Sequence, residues 1–200
     1  MKLSVNKLPL IGRGIAAVAA VMLACGAQAG WDLNGAESSV NFISVKKSAV
    51  AEVHRFSNVQ GEIDEAGNVN ISIALDSVDT LIPIRDERMR KMLFETGLFP
   101  SAEVTGKVDV ESVKDLAPGE SQVRDVAFTL SLHGHQQAIE TQVLVVALSG
   151  GRLQVSTLKP LAINAGDFDL VKGVNKLREV ANLPSISTAV PVSVRLVFKQ

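Results

Sequence analysis

The chain predicts an all-β fold, an eight-stranded antiparallel barrel covered by two short helices. Three observations carry that prediction. Apolar and polar residues alternate with period two through most of the chain after residue 30, and each run closes on a turn signal. Only two stretches carry the 3.6-residue period of a helix. The strands are joined mostly by short turns, which suit antiparallel up-and-down order better than parallel crossovers.

The elements follow in order. Val40 and Phe42 begin the first strand. Val59, Gly61 and Ile63 alternate with polar residues up to the turn signal Glu65-Ala66-Gly67-Asn68. Val69, Ile71, Ile73 and Leu75 then alternate on the far side of that turn, so the two runs read as a hairpin. Ser77 to Ala102 is a charged helical segment, with Ile84, Met89, Met92 and Leu93 able to share a face while Arg85, Asp86, Glu87, Arg88 and Arg90 crowd the rest. Set among strands, it is expected to lie as a lid across the mouth of the barrel. A strand then runs from Ala102 through Val104, Gly106, Val108 and Val110, ahead of the Pro118-Gly119 turn. Val126, Phe128, Leu130 and Leu132 face one way before His133-Gly134-His135-Gln136 turns the chain into Ile139 to Leu148. Gly150-Gly151 marks another hairpin. A second helix is expected from Asp167 to Asn182, because Leu170, Val174, Leu177 and Ala181 recur at helical spacing and Pro184 stops it. Val190, Val192, Val194, Leu196 and Phe198 form the last inward face.

The first 29 residues are expected to be a cleaved signal peptide. Lys2, Lys7 and Arg13 form a basic start, Gly14 to Ala24 is apolar but too short to span a bilayer, and Ala27-Gln28-Ala29 is a small-x-small cleavage site. Cleavage would leave residues 30–200 as one domain in the periplasm. Lipid anchoring at Cys25, the only cysteine, is the alternative processing route. Either way, no cysteine is left for a disulfide, a thiol nucleophile or a metal site. The processed chain would hold 17 Lys+Arg against 21 Asp+Glu, a net charge of −4. That balance gives no electrostatic footprint for nucleic acid.

Chemistry-bearing motifs are absent. No Gly-x-Ser-x-Gly elbow, no His-Glu-x-x-His and no phosphate-cradling glycine loop occurs. An outer-membrane barrel would carry aromatic girdles, whereas this chain has one Trp and no Tyr. His133 and His135 alternate at a strand end and could share a metal, but Gly134 marks a turn and solvated loop residues are the favoured reading, with no metal expected. His54 reads either as a polar group in a pocket or as a core histidine hydrogen-bonded to backbone. Arg85 reads as a headgroup donor at the mouth, or as a surface partner while Asp86 meets the positive end of its helix. Met89 and Met92 suit pliable contact with a flexible ligand, or plain packing.

Several motifs together resemble the YceI-like family of exported, lipocalin-like barrels that bind polyisoprenoids. Trp31-Asp32-Leu33 and Ser39-Val40-Asn41-Phe42 resemble its opening strand, and His54-Arg55-Phe56 with Gly61-Glu62-Ile63 its second strand and turn. Ser77-Val78-Asp79-Thr80, Arg85-Asp86 and Phe99-Pro100-Ser101-Ala102 are similar to its most recognisable block, and Leu132-His133-Gly134 to its late hairpin. The resemblance runs over roughly residues 31 to 198. No tyrosine is present, so any family role for a tyrosine hydroxyl is missing here. The resemblance implies a carrier for a long-chain isoprenoid lipid, a polyprenyl diphosphate or a ubiquinone-like quinone, with no other cofactor. It also implies transient contact with a membrane b-type cytochrome. The residues expected to meet the lipid are Phe42, His54, Ile73, Leu75, Arg85, Met89, Met92, Leu93, Phe128, Leu130 and Val194. A cofactor-free isomerase or hydrolase using the same cup is the alternative, and would need two polar side chains converging in the cavity, such as His54 with a carboxylate.

Overall fold

Three of the barrel's eight staves are bent in two, and the eleven strands that result share one closed antiparallel sheet with a short twelfth that flanks it, in the computed structural model. The structure describes Met1 and residues 30–200. The expected signal segment and Cys25 lie outside the described residues.

The first stave is β1 (Trp31–Leu33) and β2 (Ser39–Lys46), split by a 3-10 turn at Gly35–Glu37. Ser38 stitches the break, its Oγ donating to the Asn34 carbonyl at 2.8 Å and accepting from the Val197 N–H at 3.0 Å. The second is β3 (Val50–Phe56) and β4 (Val59–Ile63), held at their bend by Ser77, whose Oγ accepts from the Asn58 N–H at 3.0 Å. Next comes β5 (Asn68–Ala74), then a two-residue β6 (Val78–Asp79) that flanks β3 outside the barrel ring. β7 (Ser101–Lys107), β8 (Ser121–Leu132) and β9 (His135–Leu148) follow as a meander. β10 (Arg152–Thr157) and β11 (Leu161–Asn164) form one stave bent at Pro160, which has no N–H to offer a ladder. β12 (Ala189–Lys199) is the seam. It pairs with β10 and β11 on one side and with β2 and β1 on the other, which closes the ring. Closure removes the unpaired edges that an open sheet would expose.

Period-two patterning sends the apolar half of each strand inward, as in Val143, Val145 and Ala147 of β9, all buried. Val197 is on the outward half of β12 yet is buried too. The 3-10 turn after β1 folds over it, with the Asn34 N–H donating to the Val197 carbonyl at 2.7 Å.

One end of the barrel carries the lid. It is shorter than the charged segment suggested, an α-helix α1 (Pro83–Arg88) running into a π turn (Met89–Leu93). The second expected helix is also shorter: a 3-10 turn at Ala165–Phe168, then α2 (Val171–Val180). α2 lies against the lid at Gly173, where a Cβ would stand 2.7 Å from the Met92 carbonyl oxygen. Only glycine permits that approach. At the opposite end the chain departs from expectation. The strand foreseen through Val110 leaves the sheet after Lys107 and makes a single helical turn at Glu111–Lys114, which buries Val110 and Val113.

Candidate functional site

The barrel encloses a cavity of about 510 Å³. That lies within the roughly 300–1,000 Å³ typical of small-molecule sites. Its wall is built by the inward residues of nearly every stave. Of the residues expected to meet a ligand, Phe42, Ile73, Leu75, Leu93, Phe128, Leu130 and Val194 line it. Phe94, from the residue after the π turn, lines it as well, and so does Trp31.

His54, Arg85, Met89 and Met92 stand outside the wall. Met89 is buried beneath the lid, and its carbonyl accepts from the Phe94 N–H at 2.9 Å. This wide i→i+5 turn brings Phe94 to the cavity where an unbroken α-helix would present a different residue. Met92 is half-buried with its carbonyl turned to Gly173. Ile84 is 53% exposed, so it does not share the buried face of Met89 and Leu93 as the helical spacing suggested. Its neighbours Arg85 and Asp86 turn inward instead.

Those two side chains complete a polar cluster behind Phe42. The inner face of the β2–β3 pair changes along its length, from Val40, Phe42 and Phe56 to Ser44, Lys46, Glu52 and His54. Phe42 marks the border, its ring 5.2 Å from that of His54. Glu52 Oε2 accepts from Lys46 Nζ at 2.8 Å and from Arg85 Nη1 at 2.9 Å. Arg85 Nη2 donates to the Thr80 carbonyl at 2.7 Å, and the Thr80 N–H and hydroxyl both donate to Asp86. The Lys46 hydrogen bond first, then the Arg85 charge, holds the Glu52 carboxyl below its ordinary value. His54 is buried with Nε2 on Ser44 Oγ at 2.9 Å, and its Nδ1 has no partner. Burial, followed by the charge of Arg85, pushes its pKa down.

An unfolded chain takes up a proton near the ordinary 6.5, while folded His54 refuses it. Stability from this group is therefore complete above 6.5 and declines as pH falls below it, levelling at the folded pKa. Glu52 acts with the same sign in a lower window, below 4.5. Thermal stability is expected to fall as pH drops from about 7.5 to 5.5, and His54→Gln to flatten that response. An equal slope in the variant would place the acid sensitivity elsewhere.

His133 is not a solvated loop residue. Its side chain is 9% exposed and joins two elements, with Nδ1 3.2 Å from the Phe168 carbonyl and Nε2 3.3 Å from Glu95 Oε2. Phe99 packs on its ring at 4.3 Å. His135 is exposed beyond the turn. Among the described residues no group of three His, Cys, Asp or Glu is placed to hold a metal.

The model of the YceI-like domain matches residues 31–198, nearly all of the described chain. The chain belongs to the YceI-like family. Among solved structures of this fold, a polyisoprenoid binding domain from Saccharophagus degradans, implicated in plant cell wall breakdown, is 43% identical. It covers 84% of this chain and 97% of its own, at a TM-score of 0.83. BcnA of Burkholderia cenocepacia shares the YceI-like barrel at 20% identity, 83% and 99% coverage and a TM-score of 0.62. The Campylobacter jejuni YceI protein does so at 15% identity, 72% and 82% coverage and a TM-score of 0.52. No curated protein matches the chain. Within this family frame, the one inward charge on the cavity wall is a residue that the alternation reading missed, Arg124. The apolar stripe of β8 was traced only back to Val126. Continuing its period two would have reached Arg124 and Gln122.

Proposed function

We propose that this protein binds and carries a long-chain isoprenoid lipid in the periplasm, with the prenyl tail held inside the barrel. The observation that carries this reading is the cavity wall, made mainly of aliphatic and aromatic side chains from the staves and the lid. Such a wall offers little to a polar substrate and a large hydrophobic gain to a hydrocarbon. Burying ten methylenes is worth ~8 kcal/mol, against an association cost of about 4–15 kcal/mol. A long chain therefore leaves a surplus where a short one does not. The 43% identical Saccharophagus degradans domain, described as polyisoprenoid binding, supports the same class of ligand. The basic and apolar pattern of residues 1–29 supports export. Hand-over to a membrane b-type cytochrome is the partner that the family resemblance suggests.

Native mass spectrometry of protein purified without detergent, with solvent extraction of what it holds, tests the reading. A stoichiometric prenylated lipid is the expected result. A protein that comes without lipid and also ignores long prenyl chains in fluorescence displacement would overturn it, and would turn attention to the enzymatic alternative.

A further inference from the structure

We infer that Arg124 is the anchor for an oxygen-bearing headgroup, placed at the end of the barrel away from the lid. This deepens the carrier reading and rests on it. Four charged residues contribute to the cavity wall: Lys107, Asp109, Arg124 and Asp125. Lys107, Asp109 and Asp125 are exposed, and the Asp125 carboxylate accepts from Gln142 Nε2 at 3.0 Å. Arg124 alone follows the inward set of β8, in step with Val126, Phe128 and Leu130, and is half-buried. An arginine on an otherwise apolar inward stripe is costly to keep unless it meets an acceptor.

Its own partners do not use it up. Both of its hydrogen bonds leave from Nη2, to the Ser112 carbonyl at 3.2 Å and to Gln122 Oε1. Its Nε is buried and has no partner. Among the described residues no carboxylate lies within 4.0 Å of the guanidinium. Arg85 at the lid also has a buried Nε without a partner, but its Nη1 is ion-paired with Glu52, its Nη2 donates to the Thr80 carbonyl, and it stands off the wall.

The surrounding wall is also incompletely sewn together. β7 and β8 pair only from Glu103–Ser131 to Gly106–Phe128, so Ser121 to Ala127 has a ladder partner in β9 alone. The chain after Lys107 covers that side with the short turn at Glu111–Lys114 rather than with a strand. A headgroup there sits beside a gap in the backbone ladder, which leaves room for a bulky polar end. The tail extends from it toward Leu93 and Phe94 at the lid. A guanidinium recognises the chemistry shared by a prenyl diphosphate and a quinone or prenol, an oxygen acceptor at the end of the chain.

Three probes of one prenyl length test this: a hydrocarbon without a head, a prenol and a prenyl diphosphate, each in displacement titrations against wild type, Arg124→Met, Arg124→Lys and Arg85→Met. Arg124→Met is expected to weaken a headed probe about tenfold or more, since a hydrogen bond to a charged group is at stake. It should leave the headless chain unchanged. Arg124→Lys should recover part of the loss, and Arg85→Met should alter the head preference little. A loss confined to the diphosphate, and relieved by salt, assigns an anionic head. A similar loss for prenol assigns a neutral one. Wild-type binding that Arg124→Met leaves intact, or weakens equally for headed and headless chains, overturns this inference and leaves the carrier reading standing. Failure of wild type to bind any of the three overturns both.

Discussion

Val194→Trp is expected to abolish useful binding of a long prenyl chain while leaving the barrel folded. Val194 lies mid-strand in β12, opposite Val40 of β2, with its N–H donating to Thr157 Oγ1 at 3.2 Å. Its side chain is on the cavity wall and only half-buried, because it faces the cavity rather than close-packed neighbours. An indole there grows into the 510 Å³ space instead of into a packed core, so the overpacking penalty of about 1–3 kcal/mol is largely avoided. The ligand bears the cost. Displacing three methylenes of the tail forfeits ~2.4 kcal/mol, roughly fiftyfold in Kd. Because a ligand stabilises the folded state in proportion to ln(1 + [L]/Kd), the variant should keep its unliganded Tm and lose most of the ligand-induced rise. A variant that binds with wild-type affinity would place the tail elsewhere.

The wall of the barrel was legible in the sequence because a strand buried on one face writes its burial at every second residue. Val69 to Leu75, Val126 to Leu132 and Val190 to Phe198 alternate cleanly, and their inward residues are those that line the cavity. The lid was read less well. Helical spacing grouped Ile84 with Met89, Met92 and Leu93 as an apolar face, and left Arg85 as either a headgroup donor at the mouth or a surface partner, with Asp86 at the helix start. The folded lid turns the other way because Arg85 finds Glu52, 33 residues earlier, and Asp86 receives two hydrogen bonds from Thr80. Pairings made by the tertiary fold leave no mark in local periodicity. The π turn adds a second displacement, since the wider turn shifts the side chains that follow it around the axis and sets Phe94 on the cavity wall. Arg124 was lost for the opposite reason. The period was present, but a charge on an apolar stripe reads as the end of the stripe.

Phe168→Ala should produce the reverse dissociation, a large loss of stability with the binding chemistry kept. Phe168 closes the 3-10 turn that launches α2 and is 1% exposed, among the most buried side chains described. It is not on the cavity wall. The backbone around it is held from three directions. The Leu170 N–H donates to the Ala165 carbonyl at 2.9 Å, Asp169 takes a left-handed φ of 52°, and His133 Nδ1 lies 3.2 Å from the Phe168 carbonyl. With the backbone pinned, the site cannot collapse around a missing phenyl ring, so the truncation belongs at the costly end of its class, about 3–5 kcal/mol. For a domain of this size that corresponds to a fall in Tm of roughly 10 °C. Leu170 and Val174, which do line the cavity, hang from the same turn. If the turn stays formed below the new Tm, the ligand-induced rise in Tm should match that of wild type. A retained rise, set against its loss in Val194→Trp, would separate the residues that hold the barrel's end closed from those that hold the tail. Loss of both in Phe168→Ala would instead show that α2 forms part of the binding surface only while Phe168 anchors it.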